Sequence, residues 1–390
     1  MTAEPTLKPE RPFFSSGPTA KHKGWSAANL KTESLGRSHR SALGKSRLKY
    51  AIDLSKEMLG VPEDYLVGIM PASDTGALEC AMWTMLRPDR PATVAAWESF
   101  GNVWIQDAVK QLKVPQLTVM DADYGEIPDL ASIPQDNDVV FTWNGTTSGV
   151  RVASGDAIPA DRAGLTICDA TSAAFAQELP WDKLDVTTFS WQKVLGGEGG
   201  HGMLILSPRA VERLESYVPA WPLPKIFRMT KGGKLIEGIF VGETINTPSM
   251  LCVEDYIDAL TWAQSVGGLK GLIARADANA GVLHRFVTDN SWIANLAKVE
   301  ETRSNTSVCL VIADPEITAL PADAQAAFAK AMVSRLDKEG VALDIGAYRD
   351  APAGLRIWCG ATVETSDLEA LTPWLSWAFA QEKAALKQAA

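Results

Sequence analysis

The chain has 390 residues, 46% apolar and 22% charged, enough for a substantial buried core and for more than one domain. Its formal charge of −10 argues against nucleic acid or an anionic membrane as the main partner, so a small anionic ligand would need a local basic pocket. The first residues lack an apolar signal core, no later run reaches spanning length, and the five cysteines stand singly with no C-x-x-C pair. These features predict a soluble cytoplasmic protein with neither a disulfide framework nor a metal site.

In chain order, a start spaced by Pro5, Pro9 and Pro12 reads as an arm without its own core, running into Phe13-Phe14-Ser15-Ser16-Gly17-Pro18. Ser38-His39-Arg40-Ser41 sets a histidine beside an arginine, for which plain surface charge is the simpler reading. A helix is expected over 50–59 and a strand over 66–70. The strand opens into Pro71-Ala72-Ser73-Asp74-Thr75-Gly76-Ala77 and then a periodic apolar run over 78–86. A strand, a small-residue turn and a helix N-terminus make an anion site from backbone N–H groups alone; the competing reading is helix capping by Ser73, Asp74 or Thr75. An aspartate in an anion site is awkward on charge, and the side chain of Asp74 is expected to turn away from the anion.

A second strand-turn-helix unit spans 92–112 and carries Trp104, which could lie flat on a planar ligand or belong to the core. Strands follow at 117–120 and 139–142, the latter ending in the hydroxyl-rich loop Trp143-Asn144-Gly145-Thr146-Thr147-Ser148-Gly149. The strand over 165–168 ends at Asp169, read either as a helix cap or as a carboxylate for a heteroaromatic nitrogen. Val186-Thr187-Thr188-Phe189 then delivers Ser190, Trp191, Gln192 and Lys193 into a turn holding Gly196, Gly197, Gly199, Gly200 and Gly202. A lysine at a strand-end glycine turn is suited to condensing with a carbonyl, most often that of pyridoxal phosphate; the bland alternative is a solvated surface lysine.

Beyond 206 the alternation stops. A proline- and glycine-punctuated excursion leads to Asn246 and Thr247, cap residues by position, before a helix over 250–266. After Gly267-Gly268 a helix over 269–288 leads into strands at 294–299 and 307–312, a helix over 322–338, a last strand region and a terminal helix from 366. Arg349 and Arg356, seven apart across a proline/glycine loop, form the best candidate basic pocket, with surface charge as the alternative. The whole predicts an α/β fold with a mainly parallel sheet covered on both faces and its site at the strand carboxyl ends.

These motifs, in this order over nearly the whole chain, resemble the phosphoserine aminotransferase family of class V aminotransferases, most of all its divergent archaeal and alphaproteobacterial subgroup. The resemblance implies a fold-type I pyridoxal-phosphate transferase: an arm (1–16) joining the small domain, a large cofactor domain (17–266) and a small α+β domain (267–390). It implies Lys193 as the cofactor lysine, Asp169 as partner of the ring nitrogen, Trp104 as the stacking aromatic and Thr146 at the ring oxygen. Asp74, Thr75 and Gln192 fall at phosphate positions. Asn246 and Thr247 match a pair reaching that phosphate from a neighbouring subunit, which implies a homodimer with active sites at its interface. His39, Arg40, Arg349 and Arg356 match substrate positions, Arg356 as the carboxylate fork. The implied reaction is ping-pong transfer between 3-phosphonooxypyruvate with L-glutamate and O-phospho-L-serine with 2-oxoglutarate, in serine biosynthesis. A related phosphorylated hydroxy-keto acid of vitamin B6 synthesis stays open as a second substrate. The alternatives are a serine- or alanine-glyoxylate transaminase of the same class and a catalytically silent relative that binds the cofactor. Two departures stand out: the family's glycine-rich, arginine-containing phosphate turn is Ala72-Ser73-Asp74-Thr75-Gly76 here, and its His-Arg pair is Tyr348-Arg349.

Overall fold

Alternating side chains decide the architecture. In the central strands successive residues go to opposite sides: Val67 and Ile69 join one apolar cluster and Met70 the other, as do Met203 and Ile205 against Leu204 and Leu206. A strand buried on both faces reads as a continuous apolar run, and its sheet must be covered twice. The computed structural model describes residues 3–159 and 161–389. Residues 1 and 2 of the expected arm, 160 of the expected large domain and 390 of the expected small domain lie outside the described residues.

The strands are β1 (Leu66–Pro71), β2 (Ala92–Ala96), β3 (Leu117–Asp121), β4 (Asp138–Thr142), the short ladder β5 (Asn144–Gly145) with β6 (Val150–Arg151), β7 (Thr166–Asp169), β8 (Val186–Ser190) and β9 (His201–Leu206). A small hairpin follows, β10 (Thr230–Lys231) with β11 (Lys234–Leu235), and then β12 (Ile293–Asn295), β13 (Ser307–Ile312) and β14 (Gly354–Trp358). The main sheet runs β1-β9-β8-β7-β4-β2-β3. Its β3-β2-β4-β7-β8 part is parallel, and β9 lies antiparallel between β8 and β1. The carboxyl ends of β1, β2, β4, β7 and β8 therefore share one edge, where loops can converge. The second sheet, β12-β13-β14, is antiparallel.

Helices α1 (Ala42–Met58), α2 (Ser73–Met85), α3 (Ser99–Gln106), α4 (Pro208–Ser216) and α5 (Met250–Ser265) cover the main sheet, whereas α6 (Gly268–Asp289), α7 (Pro315–Thr318), α8 (Ala322–Lys338) and α9 (Thr365–Ala389) surround the second. The arm joins that second group: Leu343 N donates to Pro12 O, Trp358 N to Phe14 O and the Trp374 indole N–H to Leu7 O. No helix among the described residues is long and apolar enough to cross a membrane.

The differences from the expected elements lie mainly at helix starts and in one strand. Helix α1 begins eight residues earlier than expected, at Ala42, because Ser41 Oγ accepts from Gly44 N. Helix α2 begins at Ser73, and its cap residue is Ala72 in the left-handed region (φ 65°) with no side-chain cap, so Ser73, Asp74 and Thr75 cap nothing. Helix α5 is capped by Ser249, whose Oγ accepts from Cys252 N, and not by Asn246 or Thr247. The strand expected over 294–299 is shorter, since Lys298 N turns away to Gly125 O.

Candidate active site

The loop after β8 carries Lys193 on a rigid seat. Trp191 is buried between His201 on β9 and Tyr256 on α5, its ring stacked on each at 4.5 Å between centroids. From above, the segment after the arm closes on the turn: Thr19 N donates to Gln192 O, Thr19 Oγ1 to Lys193 O, and Lys193 Nζ to Ser16 O. Gly17 has no room for a side chain, because a Cβ there would fall on Lys193 Nζ. Desolvation and the nearby Arg356 guanidinium push the Lys193 amine down to about 8, against the opposing pull of Asp169, Glu98 and Asp74.

Across a cavity of ≈ 550 Å³ from the lysine loop lies Asp169, at the end of β7 and 4% exposed. Its Oδ1 accepts from Thr171 N at 2.9 Å and its Oδ2 from the Trp104 indole N–H at 3.2 Å. An N–H donor holds each carboxylate oxygen in place. Trp104 thus both lines the cavity and orients the acid through its ring edge.

The third wall is the N-terminus of α2. Ala72 and Ser73 both have positive φ, 65° and 56°, a costly conformation that turns the chain from β1 into the helix and leaves the first N–H groups without a side-chain acceptor. Gly76 permits this turn, since a Cβ there would lie 2.1 Å from Pro71 O. Ser73, Asp74 and Thr75 line the cavity, joined by Thr146, Ser172, Ser190 and Gln192. Thr146 Oγ1 donates to Ser172 Oγ at 2.8 Å. Ser190 Oγ, Gln192 Oε1, Thr142 Oγ1 and Thr171 Oγ1 are buried without a hydrogen-bond partner among the described residues. Unsatisfied buried polar atoms around an open cavity with a helix N-terminus are the signature of a site built for a polar, anionic ligand.

The Asp74 carboxyl is buried and is pushed well above the usual range, first by burial and then by the like charge of Asp169. Arg356, on β14 opposite Cys309, has a buried Nε without a partner and its guanidinium 5.5 Å from the Tyr348 ring. Arg349 is exposed at the cavity mouth beside Asp350, 3.6 Å away. The other substrate candidates lie elsewhere in the single chain. His39 and Arg40 line a separate hollow of ≈ 170 Å³ with Lys45, Gly242, Glu243 and Thr244. Asn246 and Thr247 are exposed and line neither hollow, Asn246 Nδ2 donating only to Thr247 O.

Two cavity residues escaped the sequence reading. Glu98, just past β2, is buried and accepts from Gly101 N and from both Thr147 N and Oγ1, and burial raises its pKa. Phe100 closes one side, its ring 5.8 Å from Lys193 Nζ and 5.3 Å from the Tyr348 ring. The signal that could have found them is their place immediately after a parallel strand's carboxyl end.

The chain is 58% identical over 376 residues to the phosphoserine aminotransferase of Methanosarcina barkeri, covering 96% of this chain and 99% of that one. It belongs to the phosphoserine aminotransferase family. No protein-family model matches it. A phosphoserine aminotransferase structure from Cytophaga hutchinsonii superposes with a TM-score of 0.78 at 19% identity, over 94% of this chain and 98% of that one. An alanine–glyoxylate aminotransferase from Nostoc sp. gives the same TM-score at 18% identity, over 97% of both chains, so the fold alone does not separate these activities.

Proposed function

We propose that the protein is a pyridoxal-phosphate-dependent transaminase that converts 3-phosphonooxypyruvate and L-glutamate to O-phospho-L-serine and 2-oxoglutarate. Its near-full-length 58% identity to a phosphoserine aminotransferase carries this reading. The residues around the cavity fit the cofactor: Thr75, Gln192 and the uncapped α2 N-terminus for the phosphate, Asp169 for the ring nitrogen, Thr146 for the ring oxygen, Trp104 beside the ring and Lys193 for the aldehyde. When bound, pyridoxal phosphate supplies the aldehyde that takes up the amino group and the ring that accepts the electron pair left on carbon.

The chain's own groups do the rest. Lys193 Nζ, with its basicity lowered to about 8, would be the base that takes the proton from the substrate α-carbon and carries it beside the bound cofactor. Asp169 keeps a proton on the ring nitrogen. Phe100, Trp104 and Tyr348 wall the cavity from water. Arg356 holds the α-carboxylate by its planar fork, and Arg349 receives the distal anion.

His39, Arg40, Asn246 and Thr247 act on the cavity of a second copy, in a homodimer with its sites at the interface. Their position away from their own chain's cavity supports this, as do the exposed apolar side chains of Val241 and Leu251 on either side of Asn246. The arm (1–16) and 267–390 form the small domain around 17–266. Five free cysteines suit a cytoplasmic location. The test is a panel of half-reactions with phosphoserine, serine, glutamate and alanine. Phosphoserine and glutamate should each convert the bound cofactor; equal conversion by serine or alanine would favour a single-carboxylate transaminase instead.

A further inference from the structure

The aspartate in the α2 turn is the residue for which the proposed reaction has no use. It lies where backbone N–H groups await an anion, it is 6% exposed, and its Oδ1 has no hydrogen-bond partner among the described residues. Its carboxyl faces Asp169, with the hydroxyls of Thr171 and Thr188 around it, and both hydroxyl oxygens are themselves buried without partners. The other titratable group that lines the cavity with both and acts on Asp74 is Lys193, from the loop after β8. Neither Asp74 nor Asp169 forms an ion pair among the described residues.

Two carboxyl groups packed together away from water cannot both ionise, so the pair holds one proton. The donors decide where it sits. Asp169 receives two N–H groups, which stabilise its charge, whereas Asp74 has hydroxyls that can accept as readily as donate. The α2 dipole favours an anion at Asp74, but that effect is worth less than about one pKa unit, while burial moves a carboxyl by up to several.

We propose that Asp74 is a neutral acid whose O–H donates to Asp169, a positioning residue that keeps Asp169 ionised and aimed at the ring nitrogen of the cofactor. This rests on the pyridoxal-phosphate reading above. A neutral Asp74 also removes the charge conflict: an uncharged side chain in the anion cradle does not repel the phosphate.

The test has two arms. In the first, infrared spectra of the cofactor-free protein at neutral pH are compared for the native chain, Asp74→Asn and Asp169→Asn. The native-minus-Asp74→Asn difference spectrum should contain a protonated-carboxyl C=O band, separate from any contributed by Glu98, and the same component should persist in Asp169→Asn, where burial alone keeps Asp74 neutral. A difference spectrum that shows no protonated-carboxyl band lost with Asp74 overturns the proposal. This arm involves no cofactor, so its outcome is separate from that of the transaminase reading. In the second, Asp74→Ala and Asp74→Asn are compared in the holoenzyme. Removing the donor should lower kcat by about tenfold or more with KM little changed, the range typical for losing an orienting partner, and the neutral amide donor should recover most of it. An Asn variant no better than Ala overturns the positioning role. If Ala does not fold, the infrared arm still decides the protonation state.

Discussion

The lowered basicity of Lys193 can be measured without substrate. Its amine titrates at about 8 against 10.5 for an ordinary lysine. At pH 7.5 the neutral, nucleophilic fraction is then about one in four, against about one in a thousand for a surface lysine, an advantage of about two hundredfold. Limited reductive methylation of the cofactor-free protein with formaldehyde and cyanoborohydride, followed by peptide mass analysis across pH, reads that fraction residue by residue. The Lys193 peptide should be modified first, with a rate that rises as pH rises and levels off above about 8. Arg356→Met removes the second cause of the shift, so the midpoint should move up while burial keeps it below 10.5. Because the folded value lies below the unfolded one, the unfolded chain binds the extra proton between about pH 8 and 10.5, and the cofactor-free protein should gain stability as pH rises through that window. A Lys193 midpoint indistinguishable from those of surface lysines would refute the electrostatic account of the site.

Asp169→Asn should still bind the cofactor through its phosphate end yet turn over about 10²-fold or more slowly, as absorbance titration and steady-state rates will record. Arg356→Ala should impair the glutamate and phosphoserine half-reactions alike, by about ten- to a hundredfold each, whereas Arg349→Ala should impair phosphoserine more, both read by single-turnover spectra. Gly76→Ala would set a Cβ against Pro71 O, so thermal unfolding should reveal a loss of about 1–3 kcal/mol together with weaker cofactor binding.

The lysine loop, Asp169, Trp104, Thr146 and the α2 turn were legible because each follows a short apolar run, and in a doubly covered sheet such runs end at one edge. Sheet order was not legible: β9 inserts antiparallel between β1 and β8, a pairing across more than a hundred residues that no local pattern records. Of the two readings of the α2 turn, side-chain capping falls away, because the turn is made by backbone torsions at Ala72 and Ser73 and not by a hydroxyl. Glu98 and Phe100 were missed because a cap glutamate and a first-turn phenylalanine look like ordinary helix residues until the chain folds them over Lys193. For His39, Arg40, Asn246 and Thr247 a single chain's sequence holds no sign of which cavity they face, and in the folded chain they line no wall of the Lys193 cavity.

The central claim is that this cavity holds pyridoxal phosphate on Lys193, and borohydride reduction of the purified holoenzyme followed by peptide mapping tests it most directly. The account predicts a single modified peptide carrying the cofactor's mass on Lys193; label on another lysine, or no label on a yellow, active protein, would contradict it.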